Sequence, residues 1–449
     1  MSTPTLLRLA TAGSVDDGKS TLVGRLLHDT KSVLADQLAA ITDASRRRGW
    51  TGELADLALL TDGLRAEREQ GITIDVAYRY FATARRSFVL ADCPGHVQYT
   101  RNTVTGASTA DVVLVLVDAR HGVVEQTRRH LAVVGLLRVP HVVVVVNKVD
   151  LVADPATAYD RTVLDIEDLR RTLDIDSVSV VPISALHGDN VVEPGPHTDW
   201  YAGPTLLEVL ETLPAHRSGG PARFPVQLVI RPQHGAVAAE HVDYRGYAGH
   251  VSSGTVRVGD EVVVSSSGVR TTVVGIDRGP EPLDQATAPL SVTLRLADAV
   301  DVSRGDVLAA ADEPPTPVRS VEAVLCWLSE RPLVPGARVL VAHGTRTVRA
   351  VVSDVAERLD IGRLAVEPAS GAGLNDLVSV TLTLAEPLPL EPYARSRHGG
   401  SLLVVDPHDG WTLAAGMAYA TLPGAGASPG SLGGSDRFDA AAPLAGEHR

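Results

Sequence analysis

The first segment able to do chemistry is a glycine-rich loop at 13–20, which follows the spacing G-x-x-x-x-G-K-[ST]. Its glycines let the backbone wrap a phosphate chain, and its N–H groups and the predicted helix behind it supply positive potential. Lys19 is placed to reach the β- and γ-phosphates, and the hydroxyl of Ser20 is placed to ligate Mg²⁺. The residues that we expect to hold the phosphates are Gly13, Ser14, Val15, Asp16, Asp17, Gly18, Lys19, Ser20 and Thr21.

A second segment, 70–75, places a hydroxyl group in the long connection after the first predicted helix. Thr73 in this segment could complete the Mg²⁺ shell and sense the γ-phosphate. A threonine in a loop is by itself more often a turn residue, so this interpretation depends on the neighbouring motifs.

A third segment follows an apolar run and consists of Asp92, Cys93, Pro94, Gly95 and His96. Asp92 could hold Mg²⁺ through water, and Gly95 could offer a backbone N–H to the γ-phosphate. His96 would then stand beside the attacking water, where phosphoryl transfer needs a positioning group. Its imidazole could accept a proton or only orient the water, and on its own it would be read as a surface histidine. The candidate catalytic residues are therefore Lys19, Thr73 and His96.

Two more segments could recognise a base. The fourth follows a run of five valines and consists of Asn147, Lys148, Val149 and Asp150. The carboxylate of Asp150 can accept hydrogen bonds from guanine N1–H and the 2-amino group, a donor pair that adenine lacks, so we predict selection of GTP over ATP. The alternative is an Asx turn with a solvated lysine. The fifth segment, whose backbone would contact guanine O6 and which is very weak in isolation, consists of Ser184, Ala185 and Leu186.

The elements that must position these motifs follow from apolar runs. We predict strands at 6–12, 87–91, 111–117, 141–146 and 178–183, and helices at 19–28, 125–137 and 205–213. Most of these strands are too apolar to keep one face in water, so helices should cover both faces. The alternation predicts a P-loop α/β domain at 1–214 with a mostly parallel sheet flanked by helices.

The composition changes after this domain. Residues 215–222 contain glycine and proline and are typical of a linker. Short valine-rich runs with Gly-Asp turns follow, and a proline-rich break near 314–317 separates two such regions. We therefore predict two antiparallel β-barrel domains, at 223–312 and 313–422. The Gly-, Ala- and Pro-rich segment 423–449 is predicted to be disordered.

Composition and charge narrow the functional classes. The chain has 449 residues and a formal net charge of −13, which disfavours a broad nucleic-acid-binding surface. Its two cysteines lie far apart, which argues against a secreted, disulfide-built scaffold. There is no secretory signal pattern, and the most apolar stretch, 131–146, is interrupted by Arg138, Pro140 and His141. We expect a cytoplasmic protein with no membrane span.

Together the five motifs resemble the translation-factor-like branch of the P-loop GTPases, in which a GTPase domain precedes two β-barrels. Asp17 stands where translation factors usually carry a histidine. Longer stretches resemble, within that branch, the large GTPase subunits of the bacterial heterodimeric sulfate adenylyltransferases (ATP sulfurylases). These stretches are LVGRLLHD at 22–29, AEREQGITIDVAYRYF at 66–81, DCPGHVQYTRNTVTGAS at 92–108, DARHGVVEQTRRH at 118–130, DYRGYAG at 243–249 and SRGDVL at 303–308.

The resemblance implies GTP and Mg²⁺ as cofactors and a separate small subunit as the partner in a heterodimer. The small subunit would bind ATP and sulfate and form adenosine 5′-phosphosulfate and pyrophosphate, an uphill reaction that this chain would drive by hydrolysing GTP. The resemblance also implies the roles given above to Thr73, His96, Asn147, Asp150 and Ser184. It further suggests that Val15 and Ile72 form an apolar gate beside His96, although such a pair could simply pack.

Two other interpretations stay open at this point. A translation factor that delivers aminoacyl-tRNA is disfavoured by Asp17 and by the stretch at 243–249. A scaffold that holds GTP as a structural ligand is disfavoured by His96. Some relatives carry a fused adenylylsulfate kinase, but no second phosphate loop follows residue 20, so we expect that activity to be absent. The segment 233–241 looks longer than the corresponding connection of the family, and the tail has no counterpart that we can place.

Overall fold

The computed structural model describes residues 5–47, 49, 55–60, 76–94, 100–214, 219–232, 242–420 and 422. The first unit is built on a six-stranded sheet in the order β2-β3-β1-β4-β5-β6. Its strands are β1 (Thr5–Gly13), β2 (Ala77–Ala82), β3 (Arg86–Asp92), β4 (Val112–Asp118), β5 (His141–Asn147) and β6 (Val178–Pro182). All neighbours run parallel except β2, which is antiparallel to β3. The predicted parallel α/β class is confirmed, and β2 is an addition to the predicted strands.

Helices lie on both faces of this sheet, as the apolar strands require. They are α1 (Lys19–Asp29), α2 (Ala35–Arg47), α3 (Thr100–Ser108), α4 (Glu125–Leu136), α5 (Pro155–Thr172) and α6 (Leu206–Thr212). Their starts follow from local chemistry. Asp154 caps α5 by accepting from the N–H of Thr157, with Pro155 at the first helical position. Thr205 and Glu208 form a reciprocal capping box at α6.

Two apolar layers sandwich the sheet. One contains Leu22 and Leu26 of α1 with Leu206 and Leu210 of α6, and the other is formed mainly by α3, α4 and α5. Every residue of β4 is buried, which fits a strand covered on both faces. The carboxyl ends of the parallel strands therefore carry their loops to one rim of a rigid sheet, which is where ligands bind in open α/β folds.

The second unit is a closed six-stranded antiparallel barrel in the order β10-β15-β7-β8-β14-β11, with β10 also pairing with β11. The strands of this unit are β7 (Arg223–Ile230), β8 (Gly246–His250), β9 (Thr255–Arg257), β10 (Glu261–Val264), β11 (Arg270–Arg278), β12 (Glu281–Leu283), β13 (Gln285–Thr287), β14 (Ser291–Leu296) and β15 (Val307–Ala310). Strand β12 extends the sheet from β11, and β9 pairs with β13 separately. Closure removes the free sheet edges that an open sheet would expose.

The third unit is a second closed barrel, in the order β17-β21-β22-β16-β20-β18 with β17 also pairing with β18. Its elements are β16 (Val318–Trp327), β17 (Arg338–His343), β18 (Arg346–Asp360), β19 (Ala365–Pro368), β20 (Leu377–Leu388), a short helix α7 (Arg397–Gly400), β21 (Ser401–Val405) and β22 (Thr412–Ala418). The two predicted barrels are thus confirmed as a fold class. The segment 233–241 and the tail 423–449 lie outside the described residues.

The second barrel packs on the α3–α4 side of the first unit. Tyr393 donates its hydroxyl to Leu137 O at the end of α4, at 3.0 Å, and Arg397 donates to Ala110 O just after α3, at 3.1 Å. Between the barrels, Arg223 and Glu391 form a buried, two-bonded ion pair at 2.9 and 3.1 Å. No helix among the described residues is long and apolar enough to cross a membrane.

Candidate functional site

The phosphate loop connects β1 to α1 at the rim of the sheet. Its backbone turns through left-handed conformations at Asp16, with φ +67°, and at Gly18, with φ +93°. Position 18 requires glycine for two reasons: the left-handed φ, and the lack of space for a Cβ, which would lie 2.4 Å from Asn147 Nδ2. Glycine therefore lets the loop close against the 147–150 motif, which is predicted to recognise the base.

Lys19 at the start of α1 is buried, and its ammonium group folds over the loop. Its Nζ donates to Gly13 O at 3.0 Å and to Ser14 O at 2.7 Å. Burial lowers the pKa of Lys19, while the nearby carboxylates of Asp17 and Asp92 oppose that shift. A cation with so little solvent around it interacts strongly with any anion that reaches the loop.

Asp17 stabilises the loop from inside. Its Oδ2 accepts from the backbone N–H of Ser14 at 2.6 Å, which closes the turn before the lysine. Burial raises the pKa of Asp17, against the lowering effects of the Ser14 hydrogen bond and of Lys19. The carboxylate thus shapes the loop, and a phosphate would meet the N–H groups and Lys19 rather than this side chain.

Asp92 ends β3 and lies next to the phosphate loop because β3 pairs with β1. Its Oδ1 accepts from Thr11 Oγ1 at 2.8 Å, and Thr11 Oγ1 in turn accepts from the backbone N–H of Cys93 at 3.1 Å. Thr11 was not among the predicted site residues, since a threonine inside an apolar strand carries no motif. Burial raises the pKa of the Cys93 thiol, so Cys93 is a packed thiol and not a nucleophile.

Asn147, at the end of β5, joins the phosphate loop to the 184–186 loop. Its Nδ2 donates to Asp17 O at 2.8 Å, and its Oδ1 accepts from the N–H of Ala185 at 2.9 Å. Both bonds are buried. One side chain therefore sets the spacing between three motifs that lie far apart in the sequence.

Two contacts hold the Lys148 side chain against the phosphate loop. It adopts a left-handed backbone with φ +64°, and its Nζ lies 2.9 Å from Asp118 Oδ2 and donates to Asp16 O. Arg120 binds Asp118 with two further hydrogen bonds of 3.0 and 2.7 Å. Burial alone would raise the pKa of Asp118, but the bonds from Arg120 and Lys148 outweigh burial and hold the pKa below its usual range. Asp118 and Arg120 were not predicted as site residues.

Asp150 lies in a short 3₁₀ helix, Val149–Leu151, which Val149 anchors in the core. The Asp150 side chain is only 6% exposed, and none of the described groups donates a hydrogen bond to it. A nearly buried carboxylate with open acceptor sites suits a ligand that brings two N–H donors.

The loop Ser184, Ala185, Leu186 is fixed from below by Arg25 of α1. The guanidinium donates from Nε to Ala185 O at 3.2 Å and from Nη2 to Leu186 O. Ser184 is fully buried, while Leu186 is 46% exposed beside the site. Arg25 was not predicted as a site residue, because its partners lie 160 residues away in the sequence.

His130 is a further neighbour of the phosphate loop that sequence motifs did not identify. It projects from α4, is buried, and faces the backbone of Gly13 and the ammonium of Lys19. Burial, reinforced by Lys19, lowers its pKa to about 3. His130 is therefore a neutral imidazole that packs beneath the loop without adding charge.

Four predicted residues, Thr73, Ile72, Gly95 and His96, lie outside the described residues. Their roles stay predictions, including the apolar gate. The structure does bring together the remaining motifs, since the phosphate loop, Asp92, the 147–150 motif and the 184–186 loop share one rim of the sheet.

Comparison with known proteins agrees with this architecture. Residues 5–216 match the elongation factor Tu GTP-binding domain family, and residues 320–419 match the GTP-eEF1A C-terminal domain-like family. The fold and the phosphate- and base-recognition motifs define a translation-factor-like P-loop GTPase.

Individual relatives identify a narrower family within the translation-factor-like GTPases. "Sulfate adenylyltransferase subunit 1" of Teredinibacter turnerae is 45% identical over 427 residues, which cover 95% of this chain and 90% of the relative. The protein of that name from Methylorubrum populi is 47% identical over 414 residues, covering 92% and 86%. The "Bifunctional enzyme CysN/CysC" of Mycobacterium tuberculosis is 48% identical over 432 residues, covering 95% of this chain and 69% of the relative. This chain belongs to the sulfate adenylyltransferase subunit 1 family.

Proposed function

We propose that this chain binds and hydrolyses GTP and couples that hydrolysis to sulfate activation by a separate small subunit. The small subunit would bind ATP and sulfate and release adenosine 5′-phosphosulfate and pyrophosphate. The GTP-binding part of this proposal is supported by the two hydrogen bonds of Asn147, which tie the phosphate loop to the 184–186 loop in one preformed site. Family membership carries the sulfate part.

At the phosphate end, the loop N–H groups and Lys19 would hold the β- and γ-phosphates. Lys19 would exchange its bonds to Gly13 O and Ser14 O for phosphate oxygens, at little cost because it is already ordered in place. Its burial strengthens the attraction, since few waters screen the charge.

The oxygen donors near the loop fit a Mg²⁺ ion. Ser20 lies in the first turn of α1, which follows β1, and Asp92 ends β3, which pairs in parallel with β1. Thr73 would be a third donor. Among the described residues no group of three or more His, Cys, Asp or Glu side chains could hold a metal ion by itself. That arrangement suits Mg²⁺, which uses one or two protein oxygens together with substrate phosphates and waters. When bound, the ion would neutralise charge that develops on the phosphates.

At the base end, Asp150 would accept from guanine N1–H and the 2-amino group. The stem of Lys148 and the exposed side chain of Leu186 would flank the ring, and the Ser184 to Leu186 backbone would face O6. Adenine offers no matching donor pair, and a buried carboxylate left without donors would be costly. The site therefore favours GTP over ATP, which leaves ATP to the partner.

For hydrolysis we assign His96 to the attacking water and Thr73 to the γ-phosphate. Both residues belong to segments that would rearrange when the γ-phosphate leaves. If these segments contact the partner, the affinity for the small subunit differs between the GTP and GDP states, and the small subunit changes nucleotide affinity by the same factor. Equal affinity in both states would exclude this coupling.

The test measures pyrophosphate release from ATP and sulfate by this chain together with a small subunit from the same organism. It is run with GTP, with GDP and with a non-hydrolysable GTP analogue, while GTP hydrolysis is followed in parallel. We expect release that depends on GTP and accompanies its hydrolysis. Absence of release in a preparation that binds GTP tightly would overturn the sulfate assignment, and aminoacyl-tRNA binding would then be measured.

A further inference from the structure

Four side chains, those of Asp189, His197, His187 and Asp150, form a row that ends at the carboxylate predicted to bind guanine. His187 directly follows the Ser184 to Leu186 loop, and its Nε2 lies 3.8 Å from Asp150 Oδ2. The His187 ring stacks on His197, with centroids 4.8 Å apart and an interplanar angle of 28°. His197 Nδ1 hydrogen-bonds to Asp189 Oδ2. None of these contacts follows from the nucleotide motifs.

The far end of the row is rigidly built. Asp189 is buried, and its carboxylate oxygen Oδ1 would lie 1.8 Å from a Cβ at position 195. Gly195 therefore lets the loop at 190–197 close over Asp189. The hydrogen bond between His197 Nδ1 and Asp189 Oδ2 ties the imidazole to this buried carboxyl group. The ring of His197 is thus fixed in orientation, and it offers a flat face to His187.

At the near end, the His187 side chain is half-exposed, and its contacts lie on two sides. Its backbone N–H donates to Ser184 Oγ at 3.4 Å, and its ring lies between His197 and Asp150. Of the basic side chains that the structure describes, only that of His187 lies within 4.0 Å of the Asp150 carboxylate. At 3.8 Å the contact is electrostatic rather than a hydrogen bond.

We propose that His187 is a positioning residue for guanine recognition, which orients the Asp150 carboxylate through the electrostatic contact of its Nε2 while His197 and Asp189 hold the imidazole in place. The proposal rests on the proposed guanine role of Asp150. A carboxylate that is already oriented loses less rotamer freedom when the base binds. Each of its oxygens has two lone pairs, so one can face His187 and still accept from guanine.

The experiment measures GDP and ADP dissociation constants of the full chain by calorimetry. His187→Phe keeps an aromatic ring that can stack on His197 but removes the N–H. His187→Gln removes the stacking but keeps an N–H donor within reach of Asp150. Asp150→Asn and the two double variants complete a double-mutant cycle, which isolates the interaction between positions 187 and 150.

We expect His187→Phe to weaken GDP binding about 2- to 5-fold, the range of a partly exposed charge interaction, and His187→Gln to recover part of this loss. Weak ADP binding should not change. In the Asp150→Asn background, His187→Phe should have no further effect on GDP. A purely structural role would instead give equal losses for Phe and Gln that persist in that background.

Two negative results are distinguishable. If Asp150→Asn leaves GDP binding unchanged, the guanine assignment of Asp150 fails and the proposed function fails with it at this end of the site. If Asp150→Asn weakens GDP binding but His187→Phe does not, only the role of His187 is overturned. Thermal melting of each variant checks that the loop at 184–197 remains folded.

Discussion

Asn147→Ala is the substitution whose effect the structure predicts in most detail. The variant loses the bond to Asp17 O and the bond from Ala185 N–H, both buried, with lengths of 2.8 and 2.9 Å. Each of the two backbone groups left without a partner costs about 1–3 kcal/mol, so the loss of folding stability should be roughly 2–6 kcal/mol.

Nucleotide affinity should fall as well, for a different reason. Without Asn147, the phosphate loop and the 184–186 loop are no longer held at a common spacing in the free protein, and binding must order them. Ordering of this kind costs about 1–2 kcal/mol, which corresponds to an increase of roughly 5- to 30-fold in the dissociation constant for GDP.

A matched control is available in Thr271 of the first barrel, which is also buried, donates to Asp298 Oδ2 at 2.8 Å and accepts from the Asp298 N–H at 3.4 Å. Calorimetric GDP titration and urea melts are run on both variants. Thr271→Ala should lose stability with unchanged affinity. A dissociation constant for Asn147→Ala within about 2-fold of the wild type, despite a loss of stability, would refute the bridging role.

Three further predictions test other parts of the molecule. Lys19→Ala should abolish productive GTP binding but keep a cooperative thermal transition, because the ammonium donates to the loop carbonyls of Gly13 and Ser14 and not to the apolar core. A fall in melting temperature with GTP binding retained would contradict this. The pKa of His130 is about 3 in the fold against 6.5 in the unfolded chain, so the unfolded state takes up more protons between these values and stability falls as pH drops below 6.5. The slope, up to about 1.4 kcal/mol per pH unit, should shrink in His130→Gln when urea melts at pH 6.5 and 5.5 are compared. Arg223→Ala leaves Glu391 buried and unpaired, and should cost about 3–5 kcal/mol in urea melts with no change in GDP affinity.

The inferred coupling would also use the contact between the second barrel and the nucleotide domain. Helix α4 carries His130 beneath the phosphate loop, and the carbonyl of Leu137, the residue after the helix, accepts from Tyr393. A helix with one contact at its middle and one at its C-terminal end would transmit a displacement of the loop to the barrel as a rigid element. The test is to measure, in Tyr393→Phe, how far GDP changes the affinity for the small subunit.

The folds of the separate units could be predicted well because their signals are local. Valine runs buried on both faces predicted β4 and β5, and Gly-Asp turns between short apolar runs predicted the barrels. The strand β2 was not predicted. It is an antiparallel edge strand with Tyr78 and Tyr80 exposed, so it carries no buried apolar run to identify it.

By itself, the sequence determined the ligand class, because the phosphate loop and the 147–150 motif are contiguous and each carries its chemistry within a few residues. Only the tertiary structure decided how the motifs are held. Asn147 reaches across 130 positions to the phosphate loop, and Arg25 reaches across 160 positions to Ala185. Thr11, Asp118 and His130 became site neighbours in the same way. Spacing along the chain cannot predict such contacts, because parallel strand order and not sequence distance decides which loops meet at the rim of the sheet.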